Sequence, residues 1–191
     1  MQGEESIDQN REVTLLDTTQ TLSAFTKTED DQERHAMAFR IHALPAQLFT
    51  EYFSMTTHEL AERRACLMRV DENPGFPCRV SLQDAGLDET VLLINHEHQP
   101  AATPFRASHA IFVRQGVEQV HPELDEVPLV LASRLLSIRA FDVRGFLREA
   151  DVVEGSALAP RLATLLEDPR NADVHLHHAR QGCFAARVTR A

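Results

Sequence analysis

The C-terminal stretch 173–188, DVHLHHARQGCFAARV, is the part of the sequence that decides the fold. Two short runs of alternating side chains flank a loop that contains Gly182, which is the pattern of a β-hairpin. Apolar residues should face apolar residues across it, because a shift of one position turns every side chain to the other face. We therefore predict that Leu176 pairs with Phe184 and that the loop covers residues 178–182.

The same register predicts a polar face on this hairpin. His177 then lies opposite Cys183 and Asp173 opposite Arg187, with His175 between the two pairs. Histidine and cysteine at adjacent strand positions are typical ligands of zinc or iron. Alternatively, Cys183 is a nucleophile and His177 is its base. A hydrogen-bonded polar sheet face explains the same pattern without any function.

Outward from the hairpin, short strands alternate with a few helices. Helices are predicted from Pro45, from the capping box that begins at Thr56, and from Ser156. Apolar and polar patterning predicts strands at 36–43, 65–70, 78–82, 89–95, 110–114, 134–142, 148–153, 173–178 and 183–189. Strands outnumber helices without a regular βαβ alternation. We therefore predict an α+β fold, a single domain with a mainly antiparallel sheet and a few short helices.

Residues 1–35 differ in composition from the rest of the chain. They hold nine acidic and three basic residues, whereas the remaining 156 residues hold twenty and sixteen. Their few large apolar side chains bury too little surface to offset the entropy of ordering the segment. We predict a flexible acidic N-terminal extension over 1–35, followed by the single α+β domain over 36–191.

The totals for the whole chain narrow the possible partners and compartment. The 191 residues include 19 basic and 29 acidic ones, and the net charge of −10 argues against a nucleic-acid partner. No apolar run approaches the ~20 residues of a membrane-spanning helix, so we expect no membrane partner. The N-terminus lacks the pattern of a signal peptide. We expect a cytoplasmic protein of a bacterium.

Lysine and cysteine usage excludes further classes. Lys27 is the single lysine, which argues against pyridoxal-phosphate enzymes, lysine aldolases, P-loop NTPases and protein kinases. The three cysteines, Cys66, Cys78 and Cys183, are too few and too widely spaced for a disulfide framework.

A second histidine pair follows the apolar run 91–94. This run is apolar on both faces, which predicts a central, covered strand. His96 and His98 share one face where that strand leaves the core. Together with His175 and His177 they would supply four ligands to a divalent metal, zinc or iron, if the two strand ends converge. As ordinary polar residues at a strand end, they need no function.

The segment 73–82, NPGFPCRVSL, presents Cys78 and Arg79 after a rigid turn made by two prolines and a glycine. Arg79 suits bidentate binding of a carboxylate or phosphate, and Arg106 and Arg139 are further candidates for an anion-binding lining. Cys78 is either a second candidate catalytic thiol or a small buried hydrophobe. Ion pairs with the acidic residues of the domain explain most of the arginines more simply.

Several of these motifs, in this order, resemble the bacterial family known as domain of unknown function 1203. The motifs are PGFPCRVSL at 74–82, VLLINHEH at 91–98, PFRAS at 104–108, IFVR at 111–114, RAFD at 139–142, HLHHA at 175–179 and GCFAARV at 182–188. The resemblance runs from about Met37 to Arg190. It implies a small cytoplasmic bacterial domain and no particular activity. The chain departs from the family at His109-Ala110, where Gly-Pro is expected, and at His178, where asparagine is expected.

These observations lead to one principal hypothesis and two alternatives. The principal hypothesis is a small-molecule enzyme with a pocket lined by histidines and cysteines, in which a divalent metal activates water. One alternative is a non-catalytic module that binds an anionic metabolite, and the other is a thiol enzyme that uses Cys183 or Cys78. The candidate residues are Cys183, His177 and Cys78 for catalysis, Arg79, Arg106 and Arg139 for binding, and His175, His177, His96 and His98 for the metal.

Overall fold

The structure is a computed structural model that describes residues 37–191, and these residues lie in one compact unit. The prediction of a flexible extension over 1–35 lies outside the described residues. None of the helices in the described part has the length and apolar character needed to cross a membrane.

The described residues form eight strands and three α-helices. The strands are β1 (Phe39–His42), β2 (Ala65–Arg69), β3 (Thr90–Gln99), β4 (Ala107–Arg114), β5 (Leu135–Phe141), β6 (Leu147–Glu154), β7 (Asp173–His178) and β8 (Phe184–Arg190). The helices are α1 (Thr57–Glu62), α2 (Leu129–Ala132) and α3 (Leu158–Glu167), and short 3₁₀ turns cover Ala46–Leu48, Thr50–Ser54 and Gly155–Ala157.

The strands form two antiparallel sheets. One has five strands in the order β1-β8-β7-β5-β6, and the other has three in the order β2-β3-β4. The predicted α+β class and the mainly antiparallel pairing are confirmed. Among the described residues, no strand of the three-stranded sheet pairs with a strand of the five-stranded sheet.

Each sheet contributes to its own hydrophobic core. Leu158, Leu162 and Leu166 on one side of α3 pack against the five-stranded sheet, where Leu176 and Val188 are also buried. The spacing of these leucines is the 3.6-residue period of an amphipathic helix. A second core holds Phe49, Leu60, Leu92, Ile94, Ile111, Val113 and Phe184. Phe184 is a member of β8, so this side chain joins the five-stranded sheet to the core of the three-stranded sheet.

Local signals differ in how well they predict the elements. The capping box at Thr56 is confirmed, since its hydroxyl accepts from the Glu59 amide and the Glu59 carboxylate accepts from the Thr56 amide. The helix predicted from Pro45 is two 3₁₀ turns. The strand predicted over 78–82 is wrong, because this segment makes one isolated bridge, at Cys78, and turns at Leu82 with a φ of 48°. The short helix α2 was not predicted.

The C-terminal hairpin forms, but its predicted register is wrong. Leu176 pairs with Ala186, and His177 pairs with Phe184, so that Ala185 is an extra residue in a β-bulge. The bulge turns Phe184 toward the histidines. Residues of β7 are buried on both faces of the strand, and the three-stranded sheet lies over the face that carries His175 and His177. The separation of apolar from polar side chains therefore does not decide the register.

Candidate metal centre

Three histidines from three strands lie together where the two sheets face each other. We call His98, His109 and His177 the histidine group. One ring nitrogen from each of them lies within 4.8 Å of the other two. A bulge near the end of β3 positions His98, because Glu97 pairs with Ser108 and Gln99 pairs with Ala107. The bulge leaves His98 outside the ladder, which frees its side chain to reach across to β7.

The His98 ring is packed closely among other rings. Its Nε2 lies 2.7 Å from Nδ1 of His109, and its Nδ1 lies 3.2 Å from Nδ1 of His175. Phe184 stacks on the same ring with a centroid distance of 4.7 Å and an interplanar angle of 9°. The bulge at Ala185 therefore supplies an aromatic wall to the histidine group.

His177 has a defined tautomer. Its Nδ1 lies 3.1 Å from the Gly182 carbonyl oxygen, and because a carbonyl only accepts, Nδ1 carries the proton. Nε2 then carries a lone pair. This atom is buried and has no hydrogen-bond partner among the described residues. In metal-binding histidines, a backbone carbonyl commonly holds one imidazole N–H and thereby orients the ring, so that the other nitrogen is available to the metal.

The histidines are neutral at physiological pH. Burial, followed by the neighbouring imidazoles, lowers the pKa of His98 to about 2. Burial, followed by the charge of Arg139, lowers the pKa of His177 to about 3, and the same two causes lower the pKa of His109. Burial also lowers the pKa of His175, to about 4. Neutral imidazoles keep their lone pairs available for a cation, because protons do not compete for them.

The donor set fits a transition metal with an open coordination position. Imidazole nitrogen suits zinc and iron, and three protein ligands leave a position for water in a tetrahedral site. Ligands at the usual zinc–nitrogen distance are about 3.4 Å apart in that geometry. The 2.7 Å between His98 and His109 must therefore open by about 0.7 Å when both bind one ion.

The histidine group borders an open cavity. His98 and His175 line a cavity of about 700 Å³, together with His96, Phe184 and Arg187. This volume is within the range of small-molecule sites. A ligand in this cavity has access to His98 from the solvent side.

The structure brings some of the predicted metal ligands together and separates others. His98 and His177 belong to the histidine group, and His175 contacts His98 beside it. The ring of His96 instead packs on Phe49 with a centroid distance of 5.8 Å. The sequence analysis did not single out His109 as a candidate ligand, because the predicted strand over 110–114 begins one residue after it. Its position two residues before Ile111 was the available signal, since alternation places both side chains on one strand face.

Cys183 does not accompany the histidine group. Its Sγ accepts a hydrogen bond of 3.1 Å from Nη2 of Arg79, a guanidinium that also donates to the carbonyls of Phe184 and Pro77. The backbone amide of His178 donates a hydrogen bond to the Cys183 carbonyl at the end of the hairpin. The predicted pairing of His177 with Cys183 is therefore wrong by one residue.

The other predicted residues have local partners. The Cys78 sulfur is buried and accepts from the backbone amides of Val80, Ser81 and Arg114 at 3.3–3.5 Å. Arg106 forms an exposed ion pair with Glu97.

The three predicted anion-binding arginines also lie in different surroundings. Arg79 lines a cavity with Cys183, and Arg106 is engaged by Glu97. Arg139 is close enough to the histidine group to lower the pKa of His109 and His177. They therefore do not form one lining.

Comparison with known proteins gives one family. The family described as Protein of unknown function (DUF1203) matches residues 75–190, a span that contains the whole histidine group. No curated protein and no solved structure matches the chain significantly.

Proposed function

We propose that this chain, which belongs to the DUF1203 family, is a metal-dependent enzyme that acts on a small molecule. In this proposal His98, His109 and His177 hold one divalent ion, zinc or iron. The observation that carries the proposal is the buried lone pair on Nε2 of His177. A buried polar atom without a partner is costly, and a metal ion beside two further imidazoles would satisfy it.

The metal would supply an activated water molecule, because coordination lowers the pKa of the water to about 7. The protein contributes orientation and charge. The Gly182 carbonyl holds the His177 ring, and Phe184 stacks on His98 and limits its movement. The Arg139 guanidinium, which already lowers the pKa of His177, favours negative charge that develops near the group.

The cavity beside His98 supports a small substrate. Its lining combines apolar groups such as Leu44 and Phe184 with the charged side chains of Asp142 and Arg187. Arg187 is held by an ion pair of 2.7 Å with Asp173. A lining that mixes polar and apolar side chains suits a polar substrate of modest size.

Elemental analysis of the purified protein tests this proposal. The wild type should contain about one equivalent of zinc or iron, and His177→Ala should lose it because three ligands become two. His96→Ala is the matched control, since it removes one histidine of the same strand region whose ring packs on Phe49 instead. It should keep the wild-type metal content.

Circular dichroism shows that both variants are folded before the metal is measured. Equal metal content in His177→Ala and wild type contradicts the proposal, and so does a metal content far below one equivalent in the wild type.

A further inference from the structure

We infer that a second cavity binds the oxyanion of a small molecule that carries a carboxylate or a phosphate. This arginine cavity is lined by Arg79, His178, Cys183, Arg134, Arg180 and Glu72, among others, and has a volume of about 540 Å³. It does not include any member of the histidine group. The inference is therefore independent of the proposed metal.

Arg79 is the first observation, because it is a buried cation without a carboxylate partner. Only 2% of the residue is exposed, and none of the described carboxylates lies within ion-pair distance of it. By contrast, Arg134 in the same lining is paired with Asp84 at 2.7 Å. A buried charge requires compensation, and an anion in the cavity would supply it.

The Arg79 guanidinium also has unused donors. It donates to the Phe184 carbonyl through Nε, to the Pro77 carbonyl through Nη1 and to the Cys183 sulfur through Nη2. A guanidinium has five N–H donors in a planar fork, so one on each terminal nitrogen is unused. Such a fork matches the geometry of a carboxylate or phosphate.

His178 is the second, independent observation. The residue is only 5% exposed and lines the cavity, and neither ring nitrogen has a hydrogen-bond partner among the described residues. Nδ1 is fully buried. A neutral imidazole has one N–H donor, and an oxyanion held by Arg79 would accept it.

The mouth of the cavity adds one free cation. Arg180 is exposed and has no ion pair or hydrogen bond to a described residue. Two carboxylates, Glu72 and Glu154, also line the cavity, but both residues are exposed and water screens their charge. The buried charge of Arg79 is screened much less, so the interior of the cavity favours an anion.

Thermal unfolding of the full chain tests this inference, with inorganic phosphate and malonate as probes. Sodium chloride at equal ionic strength is the reference. We expect the melting temperature to rise with at least one of the two anions beyond the effect of sodium chloride, since a ligand that binds only the folded state stabilises it. A response to phosphate alone assigns a phosphate-bearing ligand, and a response to malonate alone assigns a carboxylate-bearing one.

Arg180→Gln separates specific binding from a general salt effect. Its side chain is exposed, so the fold should be retained, and we expect the affinity for the anion to fall about threefold. Arg170→Gln is the matched control, because Arg170 is also exposed and does not line the cavity. Arg79→Lys should weaken binding about tenfold if it folds, because the point charge of lysine cannot replace the planar fork.

Cysteine alkylation provides a second measurement that needs no variant. The anion should slow the reaction of Cys183 with iodoacetamide and leave the exposed Cys66 unchanged, which makes Cys66 an internal reference. The inference is overturned if neither anion stabilises the protein beyond sodium chloride, or if Arg180→Gln and wild type bind the anion equally. An unchanged alkylation rate of Cys183 at a saturating anion concentration also overturns it. The metal content of Arg180→Gln should equal that of the wild type.

Discussion

His177 and His178 are neighbours in sequence, yet they serve two different surroundings. Successive side chains of a strand point to opposite faces, so His177 enters the histidine group and His178 enters the arginine cavity. Each ring has a buried nitrogen without a partner. Because no described residue satisfies these two atoms, we propose that a ligand does so on each side of the strand, the metal at His177 and the anion at His178.

The buried histidines predict a fall in stability on acidification. Burial lowers the pKa of His177 and of His178 to about 3, whereas the unfolded chain titrates near 6.5. Between these values the unfolded state binds more protons, so the free energy of unfolding falls as the pH decreases below about 6.5. Each histidine contributes up to about 1.4 kcal/mol per pH unit.

Urea unfolding at pH 7 and pH 5 measures this loss. The midpoint should be lower at pH 5, with the m-value unchanged if the transition stays two-state. Equal free energies of unfolding at the two pH values would contradict the burial of these rings.

The hairpin of β7 and β8 contains the features that build the histidine group. Its bulge directs Phe184 to the His98 ring, and its loop returns the Gly182 carbonyl to His177. Gly182 has a φ of +72°, in the left-handed region that L-residues with a Cβ adopt only at a cost. One hairpin thus orients His177 and packs against His98.

Substitution of the loop glycine separates backbone strain from metal binding. Gly182→Ala should cost about 1 kcal/mol of stability, because the space around an added Cβ is open and only the positive φ opposes it. Gly116→Ala is the matched control, since Gly116 has a φ of +70° and equally open surroundings. Both variants should lose similar stability in chemical denaturation.

Only Gly182→Ala should also bind metal more weakly, because the strained backbone displaces the carbonyl of residue 182, which holds the His177 ring. Competition with a chelator measures the affinity. The proposed role of the loop is wrong if the two variants retain the same affinity.

In residues 37–191, which the structure describes, side chains of the five-stranded sheet meet the three-stranded sheet at Phe184. Phe184 belongs to β8 in the five-stranded sheet and is buried in the core of the three-stranded sheet, with 2% of its surface exposed. It also contacts the rings of His98, His175 and His177. This side chain therefore joins the two sheets and completes the candidate site between them.

Truncation of this side chain should affect the whole molecule. Phe184→Ala should lower the free energy of unfolding by about 3–5 kcal/mol, because it removes buried area and leaves a cavity between the sheets. Phe105→Ala is the control: Phe105 is exposed, and its loss should cost well under 1 kcal/mol. Chemical denaturation of both variants gives the comparison, and a similar small loss in each would show that Phe184 does not join the sheets.

Local patterns predicted most elements because their causes are local. The capping box at Thr56 needs only two residues three positions apart, and the leucine stripe of α3 needs only the helical period. The segment 78–82 was predicted as a strand because it alternates, but it makes only one isolated bridge, from Cys78 to Phe112, before the chain turns at Leu82. Alternation indicates that a segment is half-buried, and it does not determine which partner covers it.

The amino-acid sequence alone determined the α+β class, the antiparallel pairing and the family, because these depend on periods and motifs within short segments. The convergence of His98, His109 and His177 was decided only by the tertiary structure. It depends on bulges at His98 and Ala185, and on the packing of rings from β3 and β4 against rings from β7 and β8. The energy of that packing comes from residues distant in the chain, so no local pattern contains it.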